Sequence, residues 1–323
     1  MSNPSEAGSR TGAGPYLYLM ATMLLFGTAF TSSKVVVGQV PHDVAAMLRF
    51  GGGAVILLAL LLARPGSTRF SWRELCVAGG VGLVGVFAYN TFFFWGLSLA
   101  PATDGSIIVP VLSPILTILA FLLTGREAAS AARVAGLVLG LAGAVVFFVG
   151  IGAGGLTGSR LLGDLGYLLA AGCWAAYSIA SKKVLAGMEP LRATAYSTGV
   201  GALALALVAS PSLSTMDWSA VRTSTWANVA FLAIGPTAIA YLFYYRGLRS
   251  VSPVTATITM FSVPVFGTIS SVLFLGEPFT VVQIVGALIT IVGALLAVTQ
   301  GRRAGQRRGK REPIEASAAR TAP

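Results

Sequence analysis

Charge is what this chain has least of. Asp, Glu, Lys and Arg make up 10% of its 323 residues, against roughly 25% in an average soluble domain. That leaves too little polar side chain to cover a water-facing surface. Histidine occurs once, at His42, and cysteine twice, at Cys76 and Cys173, in or beside apolar runs. So few ligands give no metal spacing and no disulfide framework, and the clustered acids of acid–base catalysis are missing too. The phosphate-cradling pattern G-x-x-x-x-G-K-[ST] does not occur, so this chain does not hydrolyse ATP. Gly150, Gly152 and Gly155 satisfy G-x-G-x-x-G by spacing, but they join two apolar runs, the wrong setting for a dinucleotide. No metal and no cofactor is expected.

Apolar residues are what is abundant: 55% of the chain, with 39 glycines and a mean hydropathy of +0.80. Disordered, collagen-like and disulfide-rich secreted chains are excluded by these figures, and the unbroken runs do not alternate as membrane barrel strands must. A helix needs ~20 mostly apolar residues to cross a hydrocarbon layer ~30 Å thick. Ten such runs can be drawn: Tyr16–Val37, Asp43–Ala63, Leu75–Gly96, Ala102–Leu123, Ala132–Ile151, Leu162–Ser181, Ala193–Ala209, Thr225–Arg246, Pro253–Leu275 and Val281–Gln300. The expected fold is an all-α integral membrane protein of ten transmembrane helices. A polar segment, residues 1–15, precedes the first run, which exceeds a signal-peptide core and reads as a retained anchor. The tail 301–323 is rich in Arg, Gly and Ala and is expected to be disordered, lying against anionic lipid headgroups and not on nucleic acid.

Lys and Arg near span ends set orientation. With the N-terminus cytoplasmic, eighteen of the 22 basic residues fall inside, seven of them in the tail, and Lys34, Arg49, Arg160 and Arg222 remain outside. Both termini are therefore expected in the cytoplasm. The chain also repeats itself. At an offset of 148, Ser33, Lys34, Gly51, Gly53, Ala54 and Leu57 fall on Ser181, Lys182, Gly199, Gly201, Ala202 and Leu205. At 150, Pro114, Leu123, Glu127, Gly136, Gly143 and Ala144 fall on Pro264, Leu273, Glu277, Gly286, Gly293 and Ala294. Two halves, 16–151 and 162–300, each hold five spans, an odd number, so they sit upside down to one another. Inverted repeats around a midplane site are the architecture of secondary transporters.

No carboxylate lies near a span centre, which argues against a buried Asp/Glu relay and for an uncharged binding pouch. The mid-depth candidates are neutral or aromatic: Phe26, Thr28, Thr31 and Ser32 in span one, Tyr89, Asn90 and Thr91 in span three, and Trp174, Tyr177 and Ser178 in span six. Asn90 must find partners in hydrocarbon, either a solute or a neighbouring helix. Ser106, Pro110, Ser113 and Thr117 share one face of span four, a pathway lining or a close-packing surface. Pro110, Pro114, Pro236 and Pro264 are expected to kink their helices and serve gating. Of the span-eight tyrosines, Tyr241 is the cavity candidate, while Tyr244 and Tyr245 sit near the interface. Lys34 and Arg49 lie toward the outer ends of spans one and two, either snorkelling to headgroups or drawing an anionic group into an outer vestibule. Gly-rich faces such as Gly51–Gly53 pack helices within one subunit or between subunits of a homo-oligomer.

The order of these features resembles the drug/metabolite transporter superfamily, EamA type. Phe26-Gly27-Thr28-Ala29-Phe30 followed by Lys34, Leu48-Arg49-Phe50, and Ser113-Pro114 before Gly125-Arg126-Glu127 carry the first copy. Trp174-Ala175-Ala176-Tyr177, Pro264 and Leu275-Gly276-Glu277-Pro278 carry the second. The resemblance spans Gly14 to Gln300 and implies a ten-span inner-membrane carrier, often an exporter of amino acids or other small metabolites, sometimes of drugs. It implies a central cavity drawn from both halves, here favouring Thr28, Asn90, Trp174, Tyr177 and Tyr241. The family's first-span aromatic is often Trp; Phe26 stands in its place and lacks the indole donor. The expected activity is export of a small zwitterionic or amphipathic solute by alternating access. The rivals are efflux of cationic drugs, which would favour a buried acid, and a membrane enzyme on lipid-like substrates, which would show acidic or His clusters.

Overall fold

The computed structural model describes residues 14–64, 71–123, 131–150, 157–185, 188–250, 259–260, 262–293 and 296. The tail 301–323, most of the segment 1–15, Glu127, and Gly152 and Gly155 of the glycine pattern lie outside the described residues. Among the described residues, ten helices of ten or more residues follow in chain order, counting α-helix continued through a π-helical stretch as one, and there is no strand. They are α1 (Gly14–Val37), α2 (His42–Leu62), α3 (Trp72–Leu99), α4 (Ala102–Leu123) and α5 (Ala131–Val149). The second set is α6 (Gly158–Leu185), α7 (Pro190–Thr215), α8 (residues 223–250), α9 (Val263–Leu275) and α10 (Val281–Gly293). Five of these are long and apolar enough to cross a membrane by length and composition, and α4, α5, α9 and α10 carry shorter apolar stretches.

The ends are set by local chemistry. Ser71 accepts from the Glu74 amide at the start of α3, a Ser-x-x-Glu start signal, and Glu189 accepts from the Arg192 amide ahead of Pro190 in α7. Gly276 closes α9 with a left-handed turn, φ 65°. Pro264 occupies the first turn of α9, where a missing amide hydrogen has no partner to lose. Pro110 and Pro114 do lie inside α4. Pro236 lies inside a π-helical stretch, Ala233–Ile239, in the middle of α8. Span three holds its counterpart, Leu83–Ala88. The two π-helical segments start 150 residues apart, the spacing of the sequence repeat.

Packing follows the same repeat. α1 lies against α8 and α9, and α6 against α3 and α4. α2 packs on the π-helical part of α8, and α7 on that of α3. Exchanging each helix with the one five later turns the first member of each pair into the second. α2–α7 and α4–α9 are neighbours too, and they map onto themselves. So does α5–α10, where a Cβ at Gly143, Gly286 or Gly293 would collide with the facing backbone. Small residues let these two helices approach closely, and in lipid van der Waals contact is what associates helices. The opposite side of α5 leaves Val134, Val138, Leu141 and Val145 exposed, a lipid-facing stripe. Two five-helix halves related by an internal two-fold exchange make up the molecule.

Candidate functional site

Where the two halves meet, a partly open cavity is lined by residues of α1, α2, α3, α4, α6, α8 and the start of α9. Its wall is aromatic. The Phe26 ring stands edge-on to Trp174 at 6.3 Å and to Tyr241 at 5.8 Å, between centroids. Tyr89 lies 5.3 Å from Trp174 and stacks on Phe93 at 5.8 Å, and Phe93 meets Phe30 at 5.2 Å. Ala29, Phe50, Val109, Pro110, Ser113, Met260 and Val263 complete the lining, with Arg49.

The π-helical segments position this wall. A π turn holds an extra residue, which rotates the following side chains relative to an α-helix, and such bulges are frequent at functional sites. Tyr89 comes one residue after the first segment and Tyr241 two after the second, so the distortion in each half delivers one cavity tyrosine. Behind Trp174 stands Tyr177, 5.5 Å away between ring centroids and buried. Its ring occupies the space that a side chain at Gly85 would need.

Arg49 is the correction of greatest consequence. The sequence places it toward the outer end of span two as an anchor or vestibule charge, and expects an uncharged pouch. In the structure it is 7% exposed and lines the cavity. Its guanidinium carbon sits 5.0 Å above the Phe50 ring, and Nε donates to Thr237 Oγ1 at 3.4 Å. Thr237, inside the second π-helical segment, passes the bond on, donating to the Leu232 carbonyl just before that segment at 2.8 Å. Arg49 makes no ion pair among the described residues. Counting residues from a span end locates depth poorly here because Arg49, two turns into α2, points inward along a long side chain.

Lys34 is corrected as well. It reaches neither headgroups nor a vestibule: Nζ donates to the Leu97 and Ala100 carbonyls at 2.6 and 2.7 Å, capping the end of α3. Of the residues expected to bind solute, Tyr89, Ser113, Trp174 and Tyr241 line the cavity. The rest serve helices. Thr28 donates to the Leu24 carbonyl, and Ser106 bonds the Thr103 carbonyl where Gly267 packs against it. Asn90, fully buried, donates from Nδ2 to the Val86 carbonyl at 2.6 Å, within the first π-helical segment. Pro110, expected as a kink, is cavity wall, while Pro114 is buried outside it. Sequence reasoning missed Phe30, Phe50, Phe93 and Thr237. The heptad-like i, i+4 step from Phe26 to Phe30, continuing the inward face of α1, is the signal that could have found the first.

Such a wall has a definite chemistry. Aromatic faces accept a flat or apolar body, and a guanidinium offers paired donors to a carboxylate. Among the described residues, no carboxylate lines the cavity to hold a cation.

Comparison with known proteins agrees with a transporter. The sequence profile of the EamA-like transporter family matches residues 14–149 and again 161–299. The uncharacterized transporter YyaM of Bacillus subtilis is 26% identical over 287 residues, 87% of this chain and 92% of that protein. The aromatic amino acid exporter YddG of Ancylobacter novellus is 29% identical over 287 residues, covering 87% of this chain and 96% of its own length. A probable terminal-alkyne amino-acid exporter of Streptantibioticus cattleyicolor is 26% identical over 88% of this chain and 94% of that one. A crystal structure 27% identical in sequence superimposes with a TM-score of 0.64, covering 90% of this chain and 99% of its own. With both halves matched and the relatives named as transporters, not enzymes, the chain belongs to the EamA-like transporter family.

Proposed function

We propose that this multi-pass membrane protein is a secondary carrier that exports amino acids or similar small metabolites by alternating access. The solute class this reading favours carries a carboxylate and an aromatic or bulky apolar side chain. The observation that carries it is Arg49, a buried guanidinium set in an aromatic cavity with no acid among the described residues of the wall. The carboxylate would meet Arg49 and the apolar body would lie among Phe26, Trp174 and Tyr241. Two relatives named as amino-acid exporters support the same class. A cationic drug fits less well, because it would enter beside a fixed positive charge without a counter-charge.

The reading sets the carrier in the cell membrane with both termini in the cytoplasm, supported by the eighteen-to-four division of basic residues. The basic tail would rest on anionic headgroups, and a homo-oligomer is compatible with the lipid-facing stripes. Proteoliposome counterflow tests the function. Labelled tryptophan or phenylalanine on one side should exchange against unlabelled solute on the other, with or without a pH gradient. Exchange of cationic dyes but of no amino acid would overturn the proposal.

A further inference from the structure

The cavity accounts for Arg49 but not for a group of charges at the Lys34 end of the molecule. That end is shut: Ser33, Val36, Val44, Ala100 and Ala102 are fully buried there, beyond the cavity residues Phe26 and Phe30 of α1. In the first turn of α4, Asp104 is wholly buried, and Arg160 of α6 holds it with two bonds, Nε to Oδ2 at 2.8 Å and Nη2 to Oδ1 at 2.9 Å. One turn after Arg160, Asp164 is 6% exposed, and neither of its carboxylate oxygens meets a donor.

Its neighbours are spoken for. Lys34, from α1, spends its ammonium on the Leu97 and Ala100 carbonyls. Glu277, from the turn after α9, takes the Ala102 and Thr103 amides at 2.8 Å each. Tyr167, on α6 itself, donates to the Pro101 carbonyl at 3.0 Å. The charges acting on Asp164 are Asp104 and Arg160, and Arg160 is already occupied by Asp104. Two buried carboxylates thus face one guanidinium. A carboxylate taken from water without a donor takes up a proton in preference to staying ionised. Once protonated, Asp164 has a hydroxyl to donate and an ionised carboxylate beside it to accept.

Resting on the reading of this chain as an alternating-access carrier, we propose that Asp164 is a proton-binding site of the transport cycle. The closed Lys34 end holds one proton between Asp164 and Asp104. Opening that end lets water reach Asp164, which ionises and releases the proton to the solution there; closing takes one up from the same side. The sign follows: acid on that side favours the closed end and slows transport, and alkali favours opening. One proton limits the effect to about tenfold in rate per pH unit. The sequence argument against buried acids looked only at span centres and so passed over a carboxylate buried near a helix start.

Two measurements on the full-length protein test this. In difference infrared spectra at neutral pH, wild type should show the carbonyl stretch of a buried protonated carboxylic acid. Asp164→Asn should lose that band and Asp164→Glu should keep it at a shifted frequency. In proteoliposomes the exchange rate should fall as the solution at the Lys34 end is acidified, and Asp164→Asn, fixed in the uncharged form, should lose this dependence. A wild-type spectrum without the band, or an Asp164→Asn rate that follows pH as wild type does, overturns the proposal. Failure of the carrier reading looks different: the band is present but no solute exchanges.

Discussion

At the residue scale the site rests on one cation in an aromatic box. If Arg49 receives the solute carboxylate, Arg49→Gln removes a charge-assisted hydrogen-bonding partner. Such bonds contribute about 1.5–3 kcal/mol, so affinity should weaken roughly tenfold to a hundredfold. Arg49→Lys keeps the charge but not the fork and should fall between. Equilibrium binding of labelled tryptophan to purified protein reads this directly, and unchanged affinity in Arg49→Gln would remove Arg49 from the site. Trp174→Ala should weaken aromatic solutes more than small ones, because it opens the wall that Phe26 and Tyr89 press against. Trp174, Tyr89 and Tyr241 were legible in the sequence because large amphipathic side chains at mid-depth have few other uses. Arg49 was not, since its inward direction is set by packing against Phe50 and Thr237, which no spacing rule reports.

At the element scale, the paired π-helical segments and the glycine seam of α5–α10 carry the design. Span existence was legible because lipid imposes a minimum apolar length; the α4 boundaries, Ala102–Leu123, coincide with the sequence reading. The π segments were not, because in stretches apolar nearly all round, such as Leu83–Ala88, the rotation they impose leaves no mark on the sequence and shows only in backbone hydrogen bonding. The seam was half legible: Gly136 and Gly143 falling on Gly286 and Gly293 marked small faces but not what they touch. A leucine at Gly143 must displace the backbone of α10 around Thr290. Overpacking of this kind costs about 1–3 kcal/mol or more. Gly143→Leu should therefore lower the thermal unfolding midpoint in detergent, while Leu141→Ala, on the lipid-facing side of the same helix, should leave it near wild type. The Asp104–Arg160 pair makes a second prediction. Arg160→Gln strands a buried carboxylate, a loss of roughly 3–5 kcal/mol. Adding Asp104→Asn to that variant should recover much of the lost midpoint.

At the scale of the whole molecule, the exchange symmetry means that the helix pairs of one half recur in the other. Two equivalent conformations, one closed at each end, are then within reach of the same contacts. The present structure holds the Lys34 end shut through bonds that cross between the halves. Thr31 of α1 meets Ser271 of α9 at 3.2 Å and accepts from Ser270 at 2.6 Å, and Ser32 hydrogen-bonds Asn228 of α8. Asp43 of α2 accepts from Ser212 of α7 at 2.5 Å. If transport requires this end to open, a covalent tie across it should stop the cycle without emptying the cavity. The pair Thr31→Cys with Ser271→Cys, in a chain whose Cys76 and Cys173 are replaced by Ala, tests it. Oxidation should abolish counterflow while leaving tryptophan binding from the opposite face within a few-fold of the reduced protein, and dithiothreitol should restore exchange. Should mass spectrometry find the disulfide complete and the exchange rate undiminished, α1 and α9 move together and the end would have to open along another seam.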